Sequence, residues 1–212
     1  MAESSPELEP EPHAAGELFG DRIELARAYT RHLADRGEEL GLIGPLEIPR
    51  LWTRHVLNSA LLAPLLGPGR VGDIGSGAGL PGLVLAIARP DVQLILIEPM
   101  ERRVEWLLRE TAELGLDNVE VVRARAEEAR LRPWLDQATA RAVSALSKLI
   151  PLTVPLVRSG GELLFLKGAS VTAEVDAAAK AIRKARLTDV EVLTLGEGLV
   201  TEVTRVFRAR VD

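Results

Sequence analysis

Apolar positions recur along the chain with two periods, and the switches between them mark out its elements. Leu18, Ile23, Ala26, Tyr29 and Leu33 repeat at helical spacing before Gly37 offers a stop, which predicts a first helix from about Glu17. A connector over residues 41–49 leads to a second expected helix. It has Trp52, Val56, Ala60 and Ala63 on one side and Leu57, Leu61 and Leu65 beside them. Short apolar runs then alternate with helical stripes. Strands are expected over 71–74, 93–97, 119–122, 137–143 and 161–166. Helices are expected over 81–88, 100–115, 145–157 and 171–184. The second carries Val104, Leu107, Leu108, Thr111 and Leu114 on its buried stripe, and Pro151 and Pro155 interrupt the third. Two last strands, over 189–195 and 201–208, close the sheet as an antiparallel pair.

This alternation predicts an α/β fold, a mostly parallel seven-stranded sheet with helices on both faces and the first two helices as an N-terminal cap. Residues 1–15, rich in Pro and Glu with almost nothing to bury, read as a disordered acidic tail. The remaining 16–212 read as one domain, with the cap over 16–68 and the core over 69–212.

Between the first strand and its helix runs Asp73-Ile-Gly-Ser-Gly-Ala-Gly-Leu-Pro-Gly82. Gly75, Gly77 and Gly79 alternate, giving a loop without Cβ atoms against which a ligand can lie. Pro81 suits the first helical position. The second strand ends in Glu98, where a carboxylate commonly takes the hydroxyls of an adenosine ribose. Gly77-x-Gly79-x-x-Gly82 formally satisfies the dinucleotide fingerprint, but Asp73 stands where a dinucleotide would bring its pyrophosphate. S-adenosylmethionine carries a sulfonium and an ammonium instead, and an acid there attracts it. The cofactor expected is therefore S-adenosylmethionine, with Asp73, Gly75, Ser76, Gly77, Gly79, Leu80 and Glu98 around it.

Composition narrows the chemistry. Without cysteine there are no disulfides and no thiolate metal sites, and methylation at a pyrimidine C5, which needs a thiol nucleophile, is disfavoured. The three histidines, His13, His32 and His55, lie far apart, so no metal is expected. No apolar run is long enough to cross a membrane, and no leader pattern opens the chain, so a cytoplasmic protein is expected. Net charge is −5, but residues 1–17 hold five acids and no Lys or Arg. Taking these from the 31 acids leaves 26, against 26 Lys and Arg, so the rest is neutral and can carry a basic face.

Three further segments follow strand ends at the same edge of the sheet: Arg125-Ala-Glu-Glu128, Arg141-Ala-Val-Ser144 and Lys167-Gly168. With Arg54-His-x-Leu-Asn-Ser59, Asp73–Gly82 and Leu166-Lys-Gly168, and with Arg141 extended to Leu146, they stand in the order and spacing of one family. The chain resembles the small-subunit ribosomal RNA guanine-N7 methyltransferases, historically called glucose-inhibited division protein B, over about residues 16–211.

The resemblance implies a Rossmann-like class I methyltransferase fold. It also implies methyl transfer from S-adenosylmethionine to N7 of one guanine in small-subunit (16S) RNA. Gly75 and Leu80 would line the cofactor loop, Glu98 would hold the ribose, and Ala126 and Glu127 would meet the adenine. Arg141 would sit against the cofactor or the incoming base. Arg54, His55, Arg125 and Lys167 would face RNA, with Arg141 and Lys167 orienting the reactants. The family often has Asp where Asn58 stands, and an arginine where this chain offers Glu202. The expected partner is the small subunit or its RNA, met by a monomer. Two alternatives stay open: an S-adenosylmethionine enzyme acting on a small molecule or protein, and a nicotinamide-dependent oxidoreductase, which Asp73 opposes.

Overall fold

A computed structural model describes residues 7–212. Seven strands form one sheet in the order β3-β2-β1-β4-β5-β7-β6. They are β1 (Arg70–Ile74), β2 (Gln93–Ile97), β3 (Val119–Val122), β4 (Leu135–Arg141), β5 (Val157–Lys167), β6 (Leu187–Leu195) and β7 (Thr204–Val211). The first five pair in parallel, while β7 runs antiparallel to both β5 and β6. Chain order reverses between β1 and β4, the switch point where open α/β sheets leave a crevice at their carboxyl ends.

Alternate residues of the inner strands supply two separate cores, as a two-residue period requires. Leu94, Leu96, Leu164 and Leu166 join the core beneath the cap. Ile95, Ile97, Leu163 and Phe165 join the opposite one. The first core is completed by α1 (Ala14–Phe19), α2 (Ile23–Arg36), α4 (Gly82–Ala88) and α5 (Glu101–Glu113). The second is completed by α6 (Leu146–Thr153), α7 (Val171–Ala177) and α8 (Ala179–Lys184).

Several sequence expectations need correction. The second cap helix is a series of short turns: a 3-10 stretch over Pro45–Arg50, a π-helix over Leu51–Leu57, one α turn, α3 (Asn58–Ala60), and a 3-10 turn over Ala63–Leu65. Pro49 and Pro64 withhold backbone donors, and the buried pairs Leu51/Val56 and Trp52/Leu57 are spaced five apart, as a π turn stacks them. Pro81 is the N-cap of α4, so that helix starts at Gly82. On α5, Leu108 is exposed and Trp106 is buried in its stead. The last expected helix is broken at Ala178.

The described part of the expected tail is fastened down. Ala14 and Ala15 are buried, Leu8 packs on the first core, and Glu9 accepts the Thr53 N–H at 2.9 Å. Arg27 donates to both Glu11 oxygens at 2.5 and 2.8 Å. Apolar content alone misses such specific pairing. Residues 1–6 of that tail lie outside the described residues.

Candidate active site

The glycine loop leaves β1 at the switch point. Gly75, Gly77 and Gly79 have φ of +71°, +55° and +95°, a region L side chains avoid. The Gly75 and Ser76 N–H groups both donate to Ile97 O, at 2.8 and 3.2 Å, tying the loop to the end of β2. From the far side, the Tyr29 hydroxyl and the Trp106 indole N–H both donate to Ala78 O, at 3.0 and 2.9 Å. One carbonyl thus joins the cap, the loop and α5.

Within the loop only Gly75 and Gly77 are partly accessible. Ser76, Gly79 and Leu80 are buried. The Ser76 hydroxyl donates to Asp73 O, and the Leu80 side chain belongs to the first core. The Ser76 and Leu80 side chains thus brace the loop from within the fold. A Cβ on Gly79 would run into the Leu83 side chain, so packing too requires glycine here.

Asp73 is fully buried. Its Oδ2 accepts the Gly82 N–H at 3.0 Å, while Oδ1 has no partner among the described residues. Burial raises its carboxyl to about 7, against the lowering by Ser76, the Gly82 N–H and Arg141. Glu98 is also buried and takes two backbone donors, Gly77 N–H on Oε2 at 2.9 Å and Met100 N–H on Oε1 at 3.0 Å. It therefore latches the glycine loop. A carboxylate offers about four acceptor sites, so capacity for a ribose remains.

Beside Gly75 opens a slot of about 450 Å3 with apolar walls from Ile74, Ile97, Met100, Leu149 and Leu152, and with Arg125, Ala126 and Glu127 at its rim. A second cavity of about 760 Å3 is lined by Arg54, Asn58, Arg141, Lys167, Glu174 and Arg205. Val143 lines both. It gets there because Ala142, at φ +54°, turns the chain sharply after β4 and brings Val143 over Gly75. The expected trio of Arg125, Arg141 and Lys167 is thereby divided: Arg125 belongs to the slot, the other two to the larger cavity.

Arg141 ends β4 and donates from Nη2 to His55 Nδ1 at 2.8 Å, with Nη1 3.4 Å from Arg54 O. A guanidinium only donates, so His55 Nδ1 must be the acceptor and the ring proton resides on Nε2. That nitrogen faces Glu47 at 2.6 Å. Burial and the adjacent Arg141 lower His55 to about 4, which agrees with a neutral ring. Arg50 and His55 hold Glu47 down to about 2, against its own burial.

Both nitrogens of His55 are thus engaged within the protein, and its side chain is only 12% exposed. It holds Arg141 in place, whereas the sequence offered it for contact with RNA. Lys167 is likewise committed in part, to Ser144 O at 2.7 Å and Glu174 Oε1 at 2.8 Å. Arg54 remains half exposed at the cavity, and Asn58 and Glu202 line it too. Glu47, Glu174 and Tyr29's hydroxyl bond escaped the sequence reading. No motif contains the two acids, and spacing shows that Tyr29 is buried but not where its hydroxyl goes.

Between α2 and α5, His32 Nδ1 meets Glu110 at 2.9 Å and Glu113 at 3.5 Å, with Arg36 alongside.

The sheet order, the glycine loop and the paired acids at strand ends define an S-adenosylmethionine-dependent methyltransferase of the Rossmann-like class. The solved tRNA (m1A58) methyltransferase TrmI from Aquifex aeolicus superposes with a TM-score of 0.58 at 15% identity, covering 73% of this chain and 68% of that one. The N-methyltransferase NodS from Bradyrhizobium japonicum WM9, in complex with S-adenosyl-L-homocysteine, gives 0.54 at 18%, covering 77% and 87%. These likenesses bear on the fold.

The particular family follows from sequence. The model of GidB, rRNA small subunit methyltransferase G, matches residues 22–203, and the chain belongs to this family. It is 70% identical over 204 residues to the ribosomal RNA small subunit methyltransferase G of Clavibacter michiganensis, covering 96% of this chain and 97% of the relative. With the protein of the same name from Corynebacterium glutamicum it shares 49% over 203 residues, covering 94% and 91%. Its cofactor is S-adenosylmethionine. The residues fit that group: the glycine cradle, the unpartnered Asp73 Oδ1 and the apolar slot suit a cationic, adenine-bearing molecule without phosphate.

Proposed function

We propose that this enzyme methylates N7 of one guanine in small-subunit ribosomal RNA, working in the cytoplasm as a monomer on the subunit or its RNA. The observation that carries this reading is the pair of cavities meeting at Val143, one apolar and glycine-walled, the other polar and lined by Arg54, Arg141, Lys167 and Arg205. The first suits the cofactor: the slot takes adenine beside Ala126 and Glu127, Glu98 takes the ribose, and Asp73 draws the positive end. Bound there, the cofactor supplies an electrophilic methyl group. The second suits a base and the phosphates around it.

Guanine N7 has an in-plane lone pair and loses no proton on methylation, so the reaction requires no general base. The protein's task is to align the base and exclude water, which makes orientation its main contribution. Arg141, fixed by His55 and Glu47, presents a rigid donor on the wall of the larger cavity. The direct test is to incubate the protein with S-adenosylmethionine and unmodified small subunits, then map 7-methylguanine by borohydride–aniline cleavage. Cleavage at one position is expected. A subunit RNA that stays intact refutes the reading.

A further inference from the structure

Lys167 and Glu174 form a pair on the wall of the larger cavity whose remaining hydrogen-bonding capacity is specific. Lys167 closes β5 and Glu174 lies on α7, and their side chains are 11% and 22% exposed. The Lys167 ammonium has three protons, of which Ser144 O takes one and Glu174 Oε1 another. Glu174 Oε1 also accepts the Leu146 N–H at 2.7 Å, while Oε2 meets no donor among the described residues. The wall therefore offers one donor next to one acceptor.

We propose that this pair selects the target base, with Lys167 donating to guanine O6 and Glu174 Oε2 accepting from the N1–H and the exocyclic amine. The assignment rests on the guanine-N7 reading above and names the residues that read the base. Guanine presents an acceptor, a donor and a second donor along this edge. Adenine presents a donor and then an acceptor, so its amine would face the ammonium and its N1 lone pair the carboxylate. Uracil matches the first two points but turns O2 toward the carboxylate. Rejection by misplaced like groups gives specificity that attraction alone does not. Contact along this edge also leaves the N7 lone pair free for the methyl group.

Inosine keeps O6 and N1–H but lacks the exocyclic amine, and that single difference tests the contact. Subunits are reconstituted with RNA carrying guanine or inosine at the mapped position and assayed with the wild type and Glu174→Gln. The wild type should methylate guanine roughly tenfold faster than inosine, within the range a good two-point base contact supplies. Glu174→Gln should lower kcat/KM on guanine by roughly 10- to 100-fold while S-adenosylmethionine affinity, measured calorimetrically, holds within about twofold. Its guanine-to-inosine ratio should fall toward one, because the variant has already lost the contact inosine lacks.

An unchanged ratio in the variant overturns the proposal. If the variant does not fold, the wild-type ratio alone decides, and a value near one overturns it. Either result leaves guanine-N7 methylation standing. A wild type that modifies no guanine defeats both.

Discussion

At the residue scale Asp73 sets binding against stability. Its carboxyl ordinarily titrates at 3.8 but in the fold is raised to about 7 by burial. Between those values the folded chain holds a proton that the unfolded chain has lost, so this group's contribution to stability falls as pH rises. Asp73→Asn removes that slope. Its melting temperature should gain on the wild type as pH rises through this window, by a few degrees per kcal/mol for a chain of this size. The opposite slope expected of His55, lowered to about 4, is common to both proteins and cancels. Affinity for S-adenosylmethionine should meanwhile drop roughly tenfold or more, as when a charged hydrogen-bonding partner is lost. Equal pH slopes for the two proteins would contradict this account.

Gly77 sits in the same frame. The nearest atom to a Cβ there is Gly75 O at 3.8 Å, so space exists, but φ is +55°. A β-branched residue at that angle is a strong outlier. Gly77→Val should therefore fold yet shift the loop and loosen the Glu98 contact. We expect S-adenosylmethionine binding to be lost by calorimetry while circular dichroism stays native. Unchanged affinity in the folded variant would remove Gly77 from the cofactor site.

At the scale of elements, the cap reaches the chemistry through two links. Tyr29 on α2 grips the loop at Ala78 O, and Glu47 and His55 grip Arg141. Tyr29→Phe deletes one buried donor and leaves Trp106 to hold the carbonyl. It should cost about 1 kcal/mol, or about 2–4 °C in melting temperature. Cofactor affinity should fall with it, because the loop has lost its tie to the cap. A loss of stability with undiminished affinity would confine Tyr29 to packing.

The elements also show what is legible in a sequence. The second strand, expected over 93–97, is observed at those bounds, because a continuous apolar run covered on both faces admits little else. The glycine loop was legible because φ above zero leaves a residue-type signature. The cap's second segment was not, since helical spacing does not distinguish α from π winding and both bury Trp52, Val56 and Leu57. Partners distant in sequence were invisible in kind: nothing near His55 announces that its two nitrogens are taken by Glu47 and Arg141, eight and 86 residues away. For that reason the motif offered His55 for RNA, while in the fold its two nitrogens are engaged by Glu47 and Arg141.

For the whole molecule, the net charge of −5 comes from the acidic N-terminal stretch, and part of that stretch is built into the fold. Glu9 receives the N–H and hydroxyl of Thr53, which lies inside the π-helix carrying Arg54 and His55. Glu11 holds Arg27 of α2 through two nitrogens. The segment thus bridges both parts of the cap, and through His55 it bears on Arg141 and the crevice beyond. Comparing deletion of residues 1–6 with deletion of residues 1–12 isolates this bridge, because only the longer cut removes Leu8, Glu9 and Glu11. The difference should amount to two lost, partly exposed polar pairs and some apolar cover, roughly 1–2 kcal/mol, or about 2–8 °C in melting temperature. Turnover on small subunits should fall further in the longer deletion, since the π-helix that positions His55 has lost its anchor at Thr53. S-adenosylmethionine affinity should change less, because Tyr29, Trp106 and Glu98 still hold the loop. If both deletions melt and turn over alike, the acidic segment is a passive tail and the bridge has no mechanical role.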